Sequence, residues 1–453
     1  MGLQFLLGRS GSGKTEYLLN SMRQELLNAP LGHPLIYIVP EQMTFQSEYA
    51  LVQTPGLEGM MRAQVYSFTR LAWRILQEVG GISRYHVDQT GIHMMLKKII
   101  EHQKEELRLF ANSSEQAGFI EELEKMVKEF KQYTVDAPSL EEMKKKLQAE
   151  DEKVLADKLH DLHLIYGELE KQLMTKYVDG EDYLKLLSEK VASSAYLTQA
   201  TIYVDGFHHY TPQELTVLVE LMKVCREVKI AVTSDYSYQD FIPNDLHLFR
   251  LTSETYQELM GLAAENGIEI QEPIVFNEQK RHQNSPELAY LERYYDERPT
   301  PEFQSEPENI QLLPAVSRRA EVEGIAREVL SLVRDRGYRY RDIALIVRNA
   351  EDYHDLLQTI FQDYEIPYFI DQKRAMFHHP LVEFIRSVLE VVSGSWRYET
   401  IFRAVKTDLL FPLSSDVHQL REEMDELENY VLAYGIQGSK WTSKEPFTYR
   451  KYR

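Results

Sequence analysis

Gly8-Arg9-Ser10-Gly11-Ser12-Gly13-Lys14-Thr15 follows the apolar run Leu3–Leu7 without an intervening residue, and the rest of the chain is read around it. The octapeptide satisfies the phosphate-binding pattern G-x-x-x-x-G-K-S/T at every fixed position, with a short apolar strand in front and a helix behind. That helix is legible in Leu18, Leu19, Met22 and Leu26, whose three- and four-residue spacing places them on one face. Gly8, Gly11 and Gly13 let the backbone curl, so that several N–H groups and the positive end of the helix face an anion. Arg9, Ser10 and Ser12 complete the nucleotide-binding loop. Lys14 brings a mobile positive charge to the β- and γ-phosphates of ATP, and the Thr15 hydroxyl is a ligand for Mg²⁺. The competing account is a glycine-rich turn without a ligand; the complete pattern in its strand–helix frame favours a nucleotide. Hydrolysis does not follow from binding.

The 453 residues are too many for one compact core and suggest three or four lobes of about 100 to 200 residues each. Hydrophobic residues at 43% and charged residues at 27% describe an ordinary globular protein, with no apolar run long enough for a bilayer and no expected membrane partner. Strand and P-loop begin so early that no signal peptide is expected. Cys225 is the sole cysteine, which excludes an internal disulfide or an all-cysteine metal site in this sequence and suggests a reducing cytoplasm. A net charge of −20 argues against wholesale wrapping of nucleic acid, while leaving a local channel possible.

In order along the chain, His33–Pro40 reads as a strand closed by proline and followed by the polar stretch Glu41–Gln46. Ala63–Tyr66 is the next strand, leading through Ser67-Phe68-Thr69-Arg70 into a helix marked by Leu71, Ile75 and Leu76. Phe68 and Trp73 suit either base stacking or helix packing. From Tyr85 to Ala195 the pattern is helical without a convincing strand, as in Phe119–Phe130 and Leu155–Leu173; Lys144-Lys145-Lys146 reads as a solvated face. Thr201–Val204 is an apolar strand ending in Asp205, the carboxylate a P-loop ATPase needs to fix Mg²⁺ opposite its threonine. The next position usually carries a glutamate that polarises the attacking water, and here it is Gly206. His208 and His209 diverge as neighbours, so a shared metal is not expected; His208 is either a γ-phosphate sensor or structural. Val228–Val232 is a further strand, ending in Thr233-Ser234-Asp235 with Gln239 beyond, and Gln271–Glu308 has the composition of a boundary. Asn309–Leu313, Asp342–Asn349 and Ile366–Ile370 read as strands of a second α/β lobe with a helix from about 320 to 333. In it Arg348 is either an arginine finger or a surface arginine. Leu381–Arg453 reads as helical.

The ordered set resembles superfamily 1 helicases of the UvrD/RecB type, and within them the B subunits of AddAB-type helicase–nucleases. The pieces that carry this are the P-loop, Ile38-Val39-Pro40-Glu41-Gln42 and Val204-Asp205-Gly206-Phe207. The resemblance implies an α/β P-loop NTPase (RecA-like) fold with a parallel sheet. It divides the chain into a first lobe over 1–84 and 199–300, a helical insertion over 85–198, the start of a second RecA-like lobe over 308–380 and an incomplete helical subdomain over 381–453. It also implies ATP and Mg²⁺, the latter at Thr15 and Asp205, and contacts of Gln42, Thr44, Phe68, Arg70 and Trp73 with single-stranded DNA. The expected partners are single-stranded and duplex DNA and an A subunit in a heterodimer that supplies translocation, and the first lobe is implicated in recognising Chi during double-strand-break repair. Arg348 falls on the γ-phosphate arginine. Gly206 replaces the family's catalytic glutamate, His208 its glutamine, and Val347 an adenine-stacking aromatic, so a nucleotide-holding subunit with a weak motor is expected. The family's iron–sulfur cluster needs four cysteines, whereas this chain has one; the resemblance therefore implies the N-terminal, helicase-like part of such a subunit without its nuclease domain, as a fragment or a truncated gene product. A free-standing P-loop kinase or ATPase, or a scaffold with a vestigial loop, remain the alternatives.

Overall fold

The computed structural model describes residues 2–57, 59–80, 85–111, 113, 116, 118–149, 152–178, 182–370, 376, 378–444 and 446–448. The chain forms two compact units, Met1–Leu312 and Leu313–Arg453. In the first, β1 (Gly2–Gly8) runs into the P-loop and α1 (Lys14–Asn28), followed by β2 (Leu35–Ile38), α2 (Thr44–Val52), β3 (Ala63–Tyr66) and α3 (Phe68–Val79). A helical insertion comes next: β4 (Tyr85–His86), α4 (Gln89–His102), α5 (Phe119–Gln132), α6 (Ala137–Ala149), α7 (Lys153–Lys176), β5 (Tyr177–Val178), α8 (Asp182–Lys190) and α9 (Ala195–Thr198). The sheet resumes with β6 (Thr201–Val204), α10 (Pro212–Val224), β7 (Glu227–Thr233), α11 (Arg250–Glu265), β8 (Glu269–Ile270), β9 (Ile274–Phe276) and α12 (Pro286–Tyr294).

Strand order is β3-β2-β6-β7-β1-β8, with β9 also on β1, and every pairing is parallel. Strands covered on both faces have no polar side, and these are continuous apolar runs for that reason. Period-2 alternation sends Phe5, Ile36, Ile38, Ile202 and Ile230 to one face, against α3 and α10. It sends Leu6, Tyr37, Tyr203 and Ala231 to the other, against Leu18, Met22 and Leu26 of α1. The α/β class and the α1 face stand as the sequence suggests.

The insertion has its own core, built from residues such as Leu96, Ile100, Leu123, Val127, Ile165 and Leu169. It differs from the purely helical reading in one detail: β4 and β5 pair in parallel over two residues each. Asp161 of α7 is fully buried, and its carboxylate accepts the N–H groups of Arg108, Leu109 and Phe110 at 2.7–3.1 Å. Asp161→Asn turns one acceptor into a donor facing those amides, so a loss of about 1–3 kcal/mol is predicted. Urea unfolding followed by circular dichroism checks this; an unchanged midpoint would count against the role.

Two other expectations change. Gln271–Glu308 is not a bare boundary: Ile274–Phe276 pairs with β1, and α12 follows. The short apolar run there outweighs the surrounding Pro, Asn and Gln because β1 offers it an edge. In the second unit, α13 (Arg318–Arg336) and α14 (His354–Asp363) pack around Val322, Ala326, Leu357 and Ile360, and α15 (Pro380–Ser393), α16 (Tyr398–Val405) and α17 (Val417–Tyr434) follow. Asn309–Leu313, Asp342–Asn349 and Ile366–Ile370 are not strands. A strand exists only with a neighbour to take its N–H and C=O groups, and no described segment pairs with them; Ile346 is left 92% exposed.

Candidate nucleotide site

The site lies at the carboxyl ends of the parallel strands, where open α/β sheets leave a crevice. β7 separates β1 from β6, so the P-loop and Asp205 leave the sheet about 10 Å apart. The bend of the loop relies on Gly11 (φ +84°) and Gly13 (φ +98°), left-handed positions that cost other residues about 1–2 kcal/mol. Gly13 starts α1 without a side-chain cap among the described residues, leaving its first amides for an anion. A cavity of about 620 Å³ opens over this turn, lined by Gly13, Lys14, Thr15, Asp205, Lys280 and Arg281 among others.

Lys14 is buried, and its ammonium donates to the Gly8 and Arg9 carbonyls at 2.6 and 3.0 Å. Burial pulls its pKa down to about 8; Asp205 opposes that shift and the Arg281 guanidinium adds to it. The Thr15 hydroxyl donates to Asp205 Oδ2 at 2.6 Å, and the Tyr37 hydroxyl donates to the same oxygen at 3.0 Å. Burial and the Asp205 charge push the Tyr37 phenol far above its usual range, so it stays a neutral donor. Gly206 N–H donates to Asp205 Oδ1 at 2.8 Å.

Thr15 and Asp205 are thus converged hard-oxygen donors lining this cavity, a set that fits Mg²⁺, which keeps several waters and takes phosphate oxygens. Among the described residues no group of three or more His, Cys, Asp or Glu could hold a metal alone, and Mg²⁺ on a nucleotide does not need one. Cys225 is buried with its thiol pushed up to about 12, so no iron–sulfur chemistry is assigned to it. Among the described residues no helix is long and apolar enough to cross a membrane.

Gly206 has φ +84°, and a Cβ there would lie 2.7 Å from Met43 Sδ and 3.0 Å from Pro40 Cδ. A side chain at this position would therefore be strained by the left-handed backbone and crowded at its Cβ by the Met43 and Pro40 side chains. The short 3₁₀ turn after Pro40 packs on it, so the two segments Ile38–Gln42 and Val204–Phe207 are neighbours in space. Thr233 lines the cavity, but Asp235 accepts from Tyr238 and Gln239 donates to Tyr256, away from it. His208 and His209 are exposed. Arg348 is exposed in the second unit.

The candidate DNA residues divide by burial. Gln42 and Arg70 face solvent, the latter in the first turn of α3, where the Ser67 hydroxyl accepts its N–H at 3.3 Å. Thr44 is buried with its hydroxyl donating to the Glu41 carbonyl. Phe68 is 4% exposed and packs edge-on against Phe207, and Trp73 is half-buried against Tyr183 with centroids 4.8 Å apart. The exposed rings beside Gln42 are Phe45 and Tyr49 of α2, 73% and 59% exposed and stacked at 6.2 Å and 22°. Their i, i+4 spacing is visible in the sequence but passes for an ordinary helix face.

Sequence reading also missed the segment clamping the P-loop. Lys280 N–H and Arg281 N–H both donate to the Gly11 carbonyl at 3.0 Å, and the Gln279 amide donates to the Ser10 carbonyl at 2.7 Å. Arg9 lies over the Phe249 ring and pairs with Glu292 of α12 at 2.7 Å.

Residues 5–292 match the model of the family described as ADDB, N-terminal. Three curated relatives are each named as the B subunit of an ATP-dependent helicase/deoxyribonuclease. The chain is 50% identical over 457 residues to that of Geobacillus kaustophilus, 52% over 456 residues to that of Anoxybacillus flavithermus and 49% over 455 residues to that of Bacillus licheniformis. Each comparison covers 100% of this chain and 39% of the relative, so the chain spans well under half the length of the curated relatives it matches. Because the family match takes in the P-loop, the Asp205 strand end and the segment that clamps the loop, over more than half of the sequence, the chain belongs to the ADDB N-terminal family.

Proposed function

We propose that this chain is the nucleotide-holding, single-stranded-DNA-binding lobe of the B subunit of an ATP-dependent helicase–nuclease. In this reading residues 1–84 and 199–300 are the first RecA-like lobe, 85–198 its helical insertion, 308–380 the opening of the second lobe and 381–453 a helical subdomain. The enzyme acts in the cytoplasm on DNA double-strand breaks for recombinational repair, and an A subunit in the heterodimer supplies translocation. One observation carries the reading: Thr15 and Asp205 meet at 2.6 Å beneath an intact P-loop, while the neighbouring Gly206 has no carboxylate and a left-handed backbone on which a side chain would be strained. Such a site holds Mg-ATP and lacks the group that activates water. Arg348 is proposed to reach the γ-phosphate when the full-length protein is assembled.

Single-stranded DNA, with Chi as its specific sequence, is proposed to cross the carboxyl ends of β2 and β3. There Gln42 and Arg70 contact the strand while Thr44, Phe68 and Trp73 shape the surface beneath. Phe45 and Tyr49 add a stacking platform worth about 1–3 kcal/mol per base. Anisotropy of labelled single-stranded DNA at several salt concentrations, with calorimetry and an ATPase assay, tests the whole. ATP binding without brisk turnover is expected. Arg70→Ala is expected to weaken DNA binding across sequences and lower the salt slope by about 1. No DNA binding at low salt would remove the DNA part, and brisk hydrolysis by this chain would remove the clamp part.

A further inference from the structure

The segment after β9 places two cations over the phosphate pocket without committing their charge. Its backbone is pinned by the Gly11 carbonyl, which accepts both Lys280 N–H and Arg281 N–H, and by the Gln279 amide on the Ser10 carbonyl. Both side chains line the same cavity as Lys14 and Thr15. Among the described residues neither forms an ion pair, and Arg281 makes one long contact, at 3.4 Å, to the Ser10 hydroxyl. Arg23, on the same wall, is by contrast occupied with Thr54, Asn20 and the Ala50 carbonyl. The Arg281 guanidinium disfavours the charge of the buried Lys14, Asp205 and Glu292 only partly offset the cost of burying it, and an anion entering this cavity would be attracted by all three cations.

The two cations face different parts of the loop. The Lys280 stem lies 3.0–3.5 Å from where a Cβ on Gly13 would sit, at the start of α1, where free amides face the inner phosphates. Arg281 lies against Ser10 and Gly11, close enough to Lys14 for its charge to be felt there, and Lys14 is the residue that reaches the β- and γ-phosphates.

We propose that Lys280 and Arg281 are phosphate-binding residues supplied by the segment that clamps the P-loop, with Arg281 on the terminal phosphate, so that this lobe distinguishes nucleoside triphosphate from diphosphate. The proposal rests on the reading of the site as a nucleotide clamp. A guanidinium suits the terminal phosphate because its planar fork donates to two oxygens at once, which an ammonium does not. Since β9 joins the sheet through β1 and α12 holds Arg9 through Glu292, the cations sit on a scaffold that does not depend on their own side chains.

Calorimetric titration of the full chain with Mg-ATP and Mg-ADP tests this, using wild type, Lys280→Ala, Arg281→Ala and Arg281→Lys. Arg281→Ala is expected to weaken ATP about tenfold and ADP less than twofold, with Arg281→Lys in between. Lys280→Ala is expected to weaken both nucleotides by a similar factor, about three- to tenfold. Unchanged thermal midpoints, expected for two exposed side chains, separate these losses from misfolding. If wild type binds ATP while both alanine variants bind ATP and ADP as wild type does, the proposal is overturned and the clamp reading survives. An Arg281→Ala variant that weakens ATP and ADP equally overturns the discrimination of the terminal phosphate. A wild type that binds neither nucleotide overturns the clamp reading and the proposal with it.

Discussion

Lys14→Ala is expected to weaken Mg-ATP binding by about 10- to 150-fold, the equivalent of one charge-assisted contact of about 1.5–3 kcal/mol. In the free protein the ammonium is held by the Gly8 and Arg9 carbonyls, and Lys14 lines the cavity over the P-loop. Phosphate replaces weak neutral acceptors with a full negative charge, and that gain is what the alanine removes. The same group sets a pH dependence. Its pKa in the free protein is lowered to about 8, chiefly by burial, so the proton is present below that pH and leaves above it. ATP favours the charged form, and binding above pH 8 must therefore recruit a proton. Wild-type affinity is expected to hold between pH 6.5 and 7.5 and to fall by up to about tenfold per unit above 8, a slope that Lys14→Ala lacks. Calorimetry at several pH values reads both effects. Wild-type affinity in the variant, or a flat profile in the wild type up to pH 9.5, would contradict the assignment.

Gly206→Glu, which puts back the carboxylate that active superfamily members carry at this position, is expected to lower stability by about 3 kcal/mol and to restore no ATPase. The backbone at φ +84° costs a non-glycine residue about 1–2 kcal/mol. The Cβ contacts with Pro40 Cδ and Met43 Sδ add overpacking of about 1–3 kcal/mol. Met43 has a flexible side chain and can yield; the proline ring, at the end of a strand locked between β3 and β6, cannot do so cheaply. Gly206→Ala carries the same backbone and Cβ penalty without the carboxylate, so the two variants should melt at similar temperatures below wild type. Thermal melts together with steady-state hydrolysis in the presence of single-stranded DNA check the pair. Brisk turnover by Gly206→Glu would show that the missing carboxylate alone silences the site and that the strained backbone at this position does not matter.

Much of the first unit was legible in the residues. A strand buried on both faces must be apolar throughout, and Leu3–Leu7, Ile36–Val39 and Thr201–Val204 are unmistakable on that ground. The P-loop is equally plain, since binding phosphate by backbone N–H groups demands glycine at fixed spacing. Asp205 was found because it ends such a strand. The clamp was not legible: Gln279, Lys280 and Arg281 lie in polar sequence that resembles a linker, and their importance comes from backbone donation to Gly11, which no side-chain pattern records. Phe68 and Trp73 pose the opposite difficulty. An aromatic at a strand end reads the same whether it faces a ligand or a core, and the packing against Phe207 and Tyr183 is visible only in the fold.

By itself the sequence determined the parallel sheet, the glycine-rich turn between β1 and α1 and the family, because local backbone demands and burial on two faces constrain residue type directly. Tertiary structure alone decided that Asp205 is shared by Thr15 and Tyr37, that a Cβ on Gly206 would crowd Met43 and Pro40, and that Lys280 and Arg281 line the same cavity as Lys14 and Thr15. Those are relations between segments up to some 270 residues apart, as in the contact of Arg281 with Ser10. Chain topology brings such groups together, and the local pattern of neither segment contains the other.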